Sequence, residues 1–175
     1  MNTFKPGWCV AYTRPQHEKK VAGLLSLTGI EFFLPMIKTL RQWSDRRKYL
    51  QVPLFPSYIF IRLSEANTYF TSLEFPGLLY YLRSGKEIAS VSDCTITSLR
   101  QLITSGCSDI SVSSDRFTAG ENVLITHGPF TGFNGEIIRH NGKRKLLIRM
   151  DLLQRNVLAD IPVEYISTHT KRVPA

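Results

Sequence analysis

The chain has 175 residues, 43% hydrophobic and 11% aromatic, with 22 Lys and Arg against 14 Asp and Glu. That composition excludes disorder throughout and supplies enough apolar mass for one large or two small domains. No stretch approaches the ~18 consecutive apolar residues of a membrane span, and residues 1–7 lack a signal-peptide run, so a cytoplasmic protein without membrane attachment is expected.

The net charge of +8 and pI of about 9.6 favour polyanionic partners such as nucleic acid. Residues 1–107 carry 13 basic and 7 acidic groups, net +6, whereas residues 108–175 carry 9 and 7, net +2. The three cysteines, Cys9, Cys94 and Cys107, form no CxxC pair and read as reduced apolar residues. His17, His127, His140 and His169 lack ligand spacing, so neither a metal nor another cofactor is expected.

In chain order, residues 8–13 read as a strand bounded by Gly7 and Pro15. Val21, Leu24, Leu25 and Thr28 recur at helical spacing over residues 16–28, with Lys19 and Lys20 on the opposite face and Gly29 as the stop. Residues 30–37 are extended and interrupted by Pro35; residues 49–63 are extended again, most clearly as a strand over 57–63. A short helix over 65–74 ends at Pro76-Gly77, and residues 78–83 and 88–91 make two more strands. Ser92 or Asp93 caps a helix over 93–105 with Ile96, Leu99 and Ile103 inward. Strands and helices in this order predict an α+β layer sandwich over residues 1–107.

Residues 108–115 are serine-rich and read as a linker. Beyond them, residues 123–125, 135–139, 145–149 and 156–161 are short β runs broken at Gly128-Pro129 and Asn141-Gly142. Asn-Gly between apolar runs is a strong hairpin signal, and four or five strands over 116–175 suit a small SH3-like barrel. A helix over 146–158 competes, because Leu, Arg, Met and Gln are good helix formers.

The segment Leu54-Phe55-Pro56-Ser57-Tyr58-Ile59-Phe60-Ile61 has two apolar faces, Tyr58 and Phe60 on one, Ile59 and Ile61 on the other. The aromatic face is either buried inside the domain or a docking patch. Arg41-Gln42-Trp43-Ser44-Asp45-Arg46-Arg47-Lys48 and the group Arg14, His17, Lys19, Lys20 are each either solvated surface or phosphate contacts. The glycines between Gly120 and Gly135 lack the Lys-Ser/Thr of a phosphate-binding loop and suit β turns. No nucleophile motif or metal-carboxylate cluster is present, so an enzyme is not expected.

Trp8-Cys9-Val10-Ala11-Tyr12-Thr13, the basic helix after it and Pro53–Phe60 resemble the N-terminal (NGN) domain of NusG-type transcription elongation factors. Phe117-x-x-Gly120-Glu121-x-Val123-x-Ile125-x-x-Gly128-Pro129-Phe130-x-Gly132-x-x-Gly135-Glu136-Ile137 is similar to that family's KOW motif. Residues 34–37 and 54–60 resemble RfaH-type paralogues, and residues 41–48 look like antiterminators of polysaccharide operons in Bacteroides-type bacteria. The resemblance implies an NGN domain over 1–107 and a KOW domain over 116–175, in a monomer that binds RNA polymerase and suppresses pausing or termination. Tyr12, Phe55, Pro56, Tyr58 and Phe60 match the surface that receives the polymerase clamp helices. Arg14, His17 and Lys20 match the contact with non-template DNA, to which charge adds Arg46, Arg47 and Lys48. In the KOW domain, Leu153 and Arg155 match a turn that contacts a ribosomal small-subunit protein or Rho, with Gln154 replacing the family's glycine. An RNA-binding protein of the ribosome or of translation is the alternative expectation.

Overall fold

The computed structural model describes residues 5–42, 47–105, 110–125, 131, 134–140, 142–160 and 166–167. The chain forms two compact units, 1–96 and 97–175. In the first, β1 (Gly7–Thr13) leads into α1 (Glu18–Leu27), followed by β2 (Phe32–Phe33), β3 (Met36–Gln42), β4 (Arg47–Pro53) and β5 (Tyr58–Leu63). Next come α2 (Ala66–Leu73), β6 (Leu78–Tyr81), β7 (Arg83–Ser84), β8 (Glu87–Ile88) and β9 (Ser90–Val91). The helix α3 (Asp93–Thr104) runs across the division between units.

The central sheet has the order β2-β5-β1-β6, with β9 also pairing β1. All its pairings are antiparallel, and Tyr12 stands opposite both Tyr58 and Tyr80. Four consecutive buried residues in β1, Trp8 to Ala11, show that water is excluded from both sides of this strand. On one side Cys9, Ala11, Ile59, Ile61 and Leu63 pack with Val21, Ala22 and Leu25 of α1. The predicted helices are present, but the buried stripe of α1 is Glu18, Val21, Ala22 and Leu25, not the expected set ending at Thr28. Thr28 instead hydrogen-bonds the Leu24 carbonyl at 3.1 Å and terminates the helix. Helix α2 is fastened to β6 by the Ser72–Tyr81 hydroxyl pair at 2.6 Å, both residues buried. Ser92 caps α3 through the Thr95 amide, while Asp93 accepts the Trp8 indole N–H at 3.1 Å.

Strands β3 and β4 form a separate two-stranded ribbon, longer than the sequence suggests, because Lys38–Gln42 continues the extended run. Its last pair is Gln42 with Arg47.

The second unit contains β10 (Ser111–Ser113), β11 (Glu121–Ile125), β12 (Asn134–His140), β13 (Lys143–Met150), β14 (Arg155–Asp160) and β15 (Ile166–Ser167). They form one sheet in the order β10-β14-β13-β12-β11-β15. Two expectations change here. Part of the predicted linker is strand β10, since Val112 pairs with Val157. The competing helix over 146–158 is absent: the stretch is β13, a 3-10 turn at Asp151–Leu153, and β14. Pairing decides this, because each strand finds a partner on both edges. The Asn-Gly hairpin holds its register, His140 opposite Lys143, and Gly142 takes φ +76°. The turn expected at Gly128-Pro129 lies outside the described residues.

A charged clamp holds the entry to β11. Glu136 on β12 accepts Arg149 Nε at 2.8 Å and Arg149 Nη2 at 2.7 Å, and takes the Gly120 amide at 2.7 Å. Arg149 also donates to the carbonyls of Phe117 and Thr118. Gly120 has a steric reason for being glycine, because a Cβ there would run into the Ile137 carbonyl.

Two tests follow from these contacts. Burial raises the Cys9 thiol to about 11, whereas Cys94 is exposed and neither is in a disulfide. A thiol reagent should therefore label Cys94 in the folded chain and reach Cys9 only after denaturant is added; equal rates would contradict this packing. Hydrogen bonds from Arg149 hold the Glu136 carboxyl below the ordinary value of 4.5, against a smaller opposing effect of burial. A depressed carboxyl stabilises the fold fully above that ordinary value, and the contribution fades as pH falls through the folded-state value. Glu136→Gln should lose about 2 kcal/mol in denaturant unfolding at pH 7, with the gap to wild type narrowing in acid.

Candidate docking ledge and nucleic-acid interface

Side chains on one face of the central sheet divide into a closed end and an open end. At the closed end Phe60 is 0% and Phe55 2% exposed, with the Phe33 and Phe55 rings each 6.0 Å from Phe60. At the open end the Tyr12 ring lies 5.2 Å from Tyr58, edge-on, and 5.1 Å from Tyr80, stacked. Cross-strand register makes this cluster, since Tyr12 is opposite both partners and all three residues point the same way. Tyr12 and Tyr58 are half-buried and Tyr80 is 51% exposed, so the three rings form a ledge of about one ring's width on each strand.

The five residues matched to a docking surface therefore separate. Tyr12, Tyr58 and Pro56 reach solvent, whereas Phe55 and Phe60 are interior. The sequence reading missed Tyr80. Its signal was the pair Tyr80-Tyr81 in a strand, where adjacent side chains must point to opposite faces. Tyr81 takes the buried one, on Ser72.

The loop from β1 to α1 is pinned beside the ledge. Thr13 N–H donates to the Ser57 carbonyl at 2.8 Å, and Arg14 N–H donates to the Gly77 carbonyl at 2.8 Å. Glu18, 5% exposed, accepts the Ser57 amide at 2.7 Å, while Ser57 itself sits at φ +65°. A non-glycine residue in the left-handed region costs about 1 kcal/mol or more, and the fixed carboxylate offsets that cost. Gly77, at φ +107°, leaves space for the His17 ring, which a Cβ would meet at 3.0 Å. His17 Nδ1 donates to the Pro15 carbonyl at 3.1 Å.

This packing exposes Arg14 and Lys20, half-buries His17, and puts all three on the segment that follows Tyr12. Lys48 is exposed on β4; Arg47 is described for its backbone alone, and Arg46 lies outside the described residues. Lys19 Nζ donates to the Gln51 carbonyl at 3.2 Å, which ties α1 to the β3–β4 ribbon. In the second unit Leu153 is 9% exposed and packs inward, so of the expected pair Arg155 alone presents its side chain. Gln154 between them takes φ +49°, retaining the left-handed turn that a glycine would favour. This turn borders a polar cleft shared with Asp115, Arg116 and Asp151.

Among the described residues no group of three His, Cys, Asp or Glu is placed to hold a metal, and no helix is long and apolar enough to cross a membrane.

The profile of the family described as "Transcription termination factor nusG" matches residues 6–100, more than half of the chain. Among solved structures, NusG of Thermotoga maritima, from a study of its domain interaction, is similar at 19% identity and a TM-score of 0.49, covering 93% of this chain and 97% of that one. The MjSpt4:Spt5 complex in conformation A is similar at 13% identity and a TM-score of 0.33, covering 91% and 96%. The span of the profile, over the unit built of an antiparallel sheet and helices, leads to one conclusion: the chain belongs to the NusG family, and is a transcription factor with a role in elongation, not an enzyme.

Proposed function

We propose that this protein is an elongation and antitermination factor that grips RNA polymerase through the tyrosine ledge of its first unit. The ledge is the observation that carries the reading. Tyr12, Tyr58 and Tyr80 offer ring faces with hydroxyl rims, a surface rigid enough to bind at small entropic cost. The apolar tip of the polymerase clamp helices is the partner of matching chemistry. Phe60, two residues along β5 on the same face as Tyr58, is enclosed with Phe55 and lies outside this surface. No bond is made or broken. The factor binds the processive polymerase better than the paused one and shifts the population by that difference.

In the same reading Arg14, His17 and Lys20, which follow Tyr12 in the chain, contact the non-template DNA strand, and Arg46, Arg47 and Lys48 add charge to that contact. In this reading residues 1–107 are an NGN domain, 108–115 contain the linker, and 116–175 close into an SH3-like KOW barrel. Support for the barrel comes from the antiparallel order of the second sheet and from Leu146, Leu147 and Ile148, buried in succession along β13. Arg155, at the turn where Leu153 is buried, is the group that would meet a ribosomal small-subunit protein or Rho. Residues 41–48 suggest service to particular operons, such as those for polysaccharide synthesis.

Capture of core RNA polymerase by the full chain tests the reading. Tyr58→Ala and Tyr80→Ala should each weaken capture roughly thirtyfold, about 2 kcal/mol, with unchanged thermal unfolding. Capture equal to wild type by the double variant would sink it, and binding to ribosomal RNA without polymerase capture would favour the translation alternative. Glu18→Ala leaves the Ser57 amide without its acceptor and should cost about 2 kcal/mol of stability while loosening both the ledge and the basic loop. Glu18→Gln, which keeps an acceptor oxygen, should recover most of both losses. Stability equal to wild type in Glu18→Ala would show that the strut is idle.

A further inference from the structure

The β3–β4 ribbon alternates its side chains between two faces. Ile37, Thr39, Leu50 and Val52 share one face and are half-buried. The opposite face carries Leu40 and Tyr49 as direct register partners, and both are open to solvent, at 47% and 69%. Lys38 and Gln51, the next pair along this face, are exposed as well. The two strands hold Lys38, Arg41, Arg47 and Lys48 and no acidic residue. A large ring and an aliphatic side chain left in water on a uniformly basic ribbon need a partner that is both anionic and flat-faced. A protein partner fits poorly, since lysine is depleted from protein interface cores. A nucleic-acid duplex satisfies the charge but hides its base faces.

We infer that this face of the ribbon is a stacking platform for single-stranded DNA, with an unpaired base on the Tyr49 ring, Leu40 against its edge, and Lys38, the next basic position on the same face, on a flanking phosphate. The inference extends the DNA contact proposed above and rests on it for the choice of DNA over RNA: Lys19 joins α1, which carries Lys20, to the ribbon at Gln51. The platform is separate from the tyrosine ledge, which leaves the two readings independently testable.

Fluorescence anisotropy of the full chain with a labelled oligo(dT) of about a dozen nucleotides, the matching duplex and an oligo(rU) of equal length provides the test. Tyr49→Ala should lower oligo(dT) affinity about tenfold and leave duplex affinity unchanged, as loss of one stacked base predicts. Tyr49→Phe should bind like wild type, because the ring face is kept. Lys38→Gln should lower the slope of log affinity against log salt by about one, or somewhat less on a single strand. Wild-type oligo(dT) affinity in Tyr49→Ala, or an equal loss on duplex, would overturn the platform. Tighter, Tyr49-dependent binding of oligo(rU) would overturn the assignment to DNA. Polymerase capture by Tyr49→Ala should match wild type; Tyr49-dependent oligo(dT) binding alongside ledge variants that capture polymerase normally would discard the docking proposal and keep this one.

Discussion

A single buried carboxylate sets the geometry on which the first unit's surface depends. Glu18 enters the interior in the first turn of α1 and takes the Ser57 amide at 2.7 Å, at the point where the chain enters β5 in a left-handed conformation. Three things are positioned by that bond. Tyr58 follows Ser57 directly, so its ring is aimed at Tyr12. The Ser57 carbonyl receives Thr13, which ends β1 in register. Helix α1 is held by its N-terminus, where Arg14, His17 and Lys20 cluster. An acidic group that contributes nothing to the surface charge thus keeps an aromatic surface and a basic one at the same end of one sheet.

The division of labour among the aromatics has the same origin in strand periodicity. Residues at alternate positions share a face, yet the environment along that face changes from one end of the sheet to the other. Phe60 lacks a polar atom and is enclosed by Phe33 and Phe55. Tyrosine occupies the positions that reach water, where its hydroxyl stays solvated while the ring packs. Residue chemistry and exposure agree at each of these sites, as expected of a sequence whose local and global preferences coincide.

Much of the fold was legible because its signals are local. The presence of α1 and α3, the strands over residues 8–13 and 57–63 and the hairpin joining β12 to β13 each follow from signals that act over a few residues, although the buried stripe of α1 is not the expected one. Contacts between distant segments were not legible. Glu18 carries an ordinary surface residue's name, and its burial depends on Ser57, thirty-nine positions away. The fate of residues 111–113 was decided by β14, whose open edge converts a serine-rich stretch into a strand. The two-faced strand β5 was recognised as such, but pattern alone could not say that its aromatic face is closed at Phe60 and open at Tyr58.

The turn at Gln154 has an implication for how relatives of this chain are recognised. Its backbone adopts a curvature usually assigned to glycine, and a glutamine bears the small conformational penalty. Shape at this corner is thus inherited through the flanking strands β13 and β14, which enforce it from both sides. A motif search demanding glycine before the arginine would pass over this sequence, although its turn keeps the left-handed backbone that glycine favours.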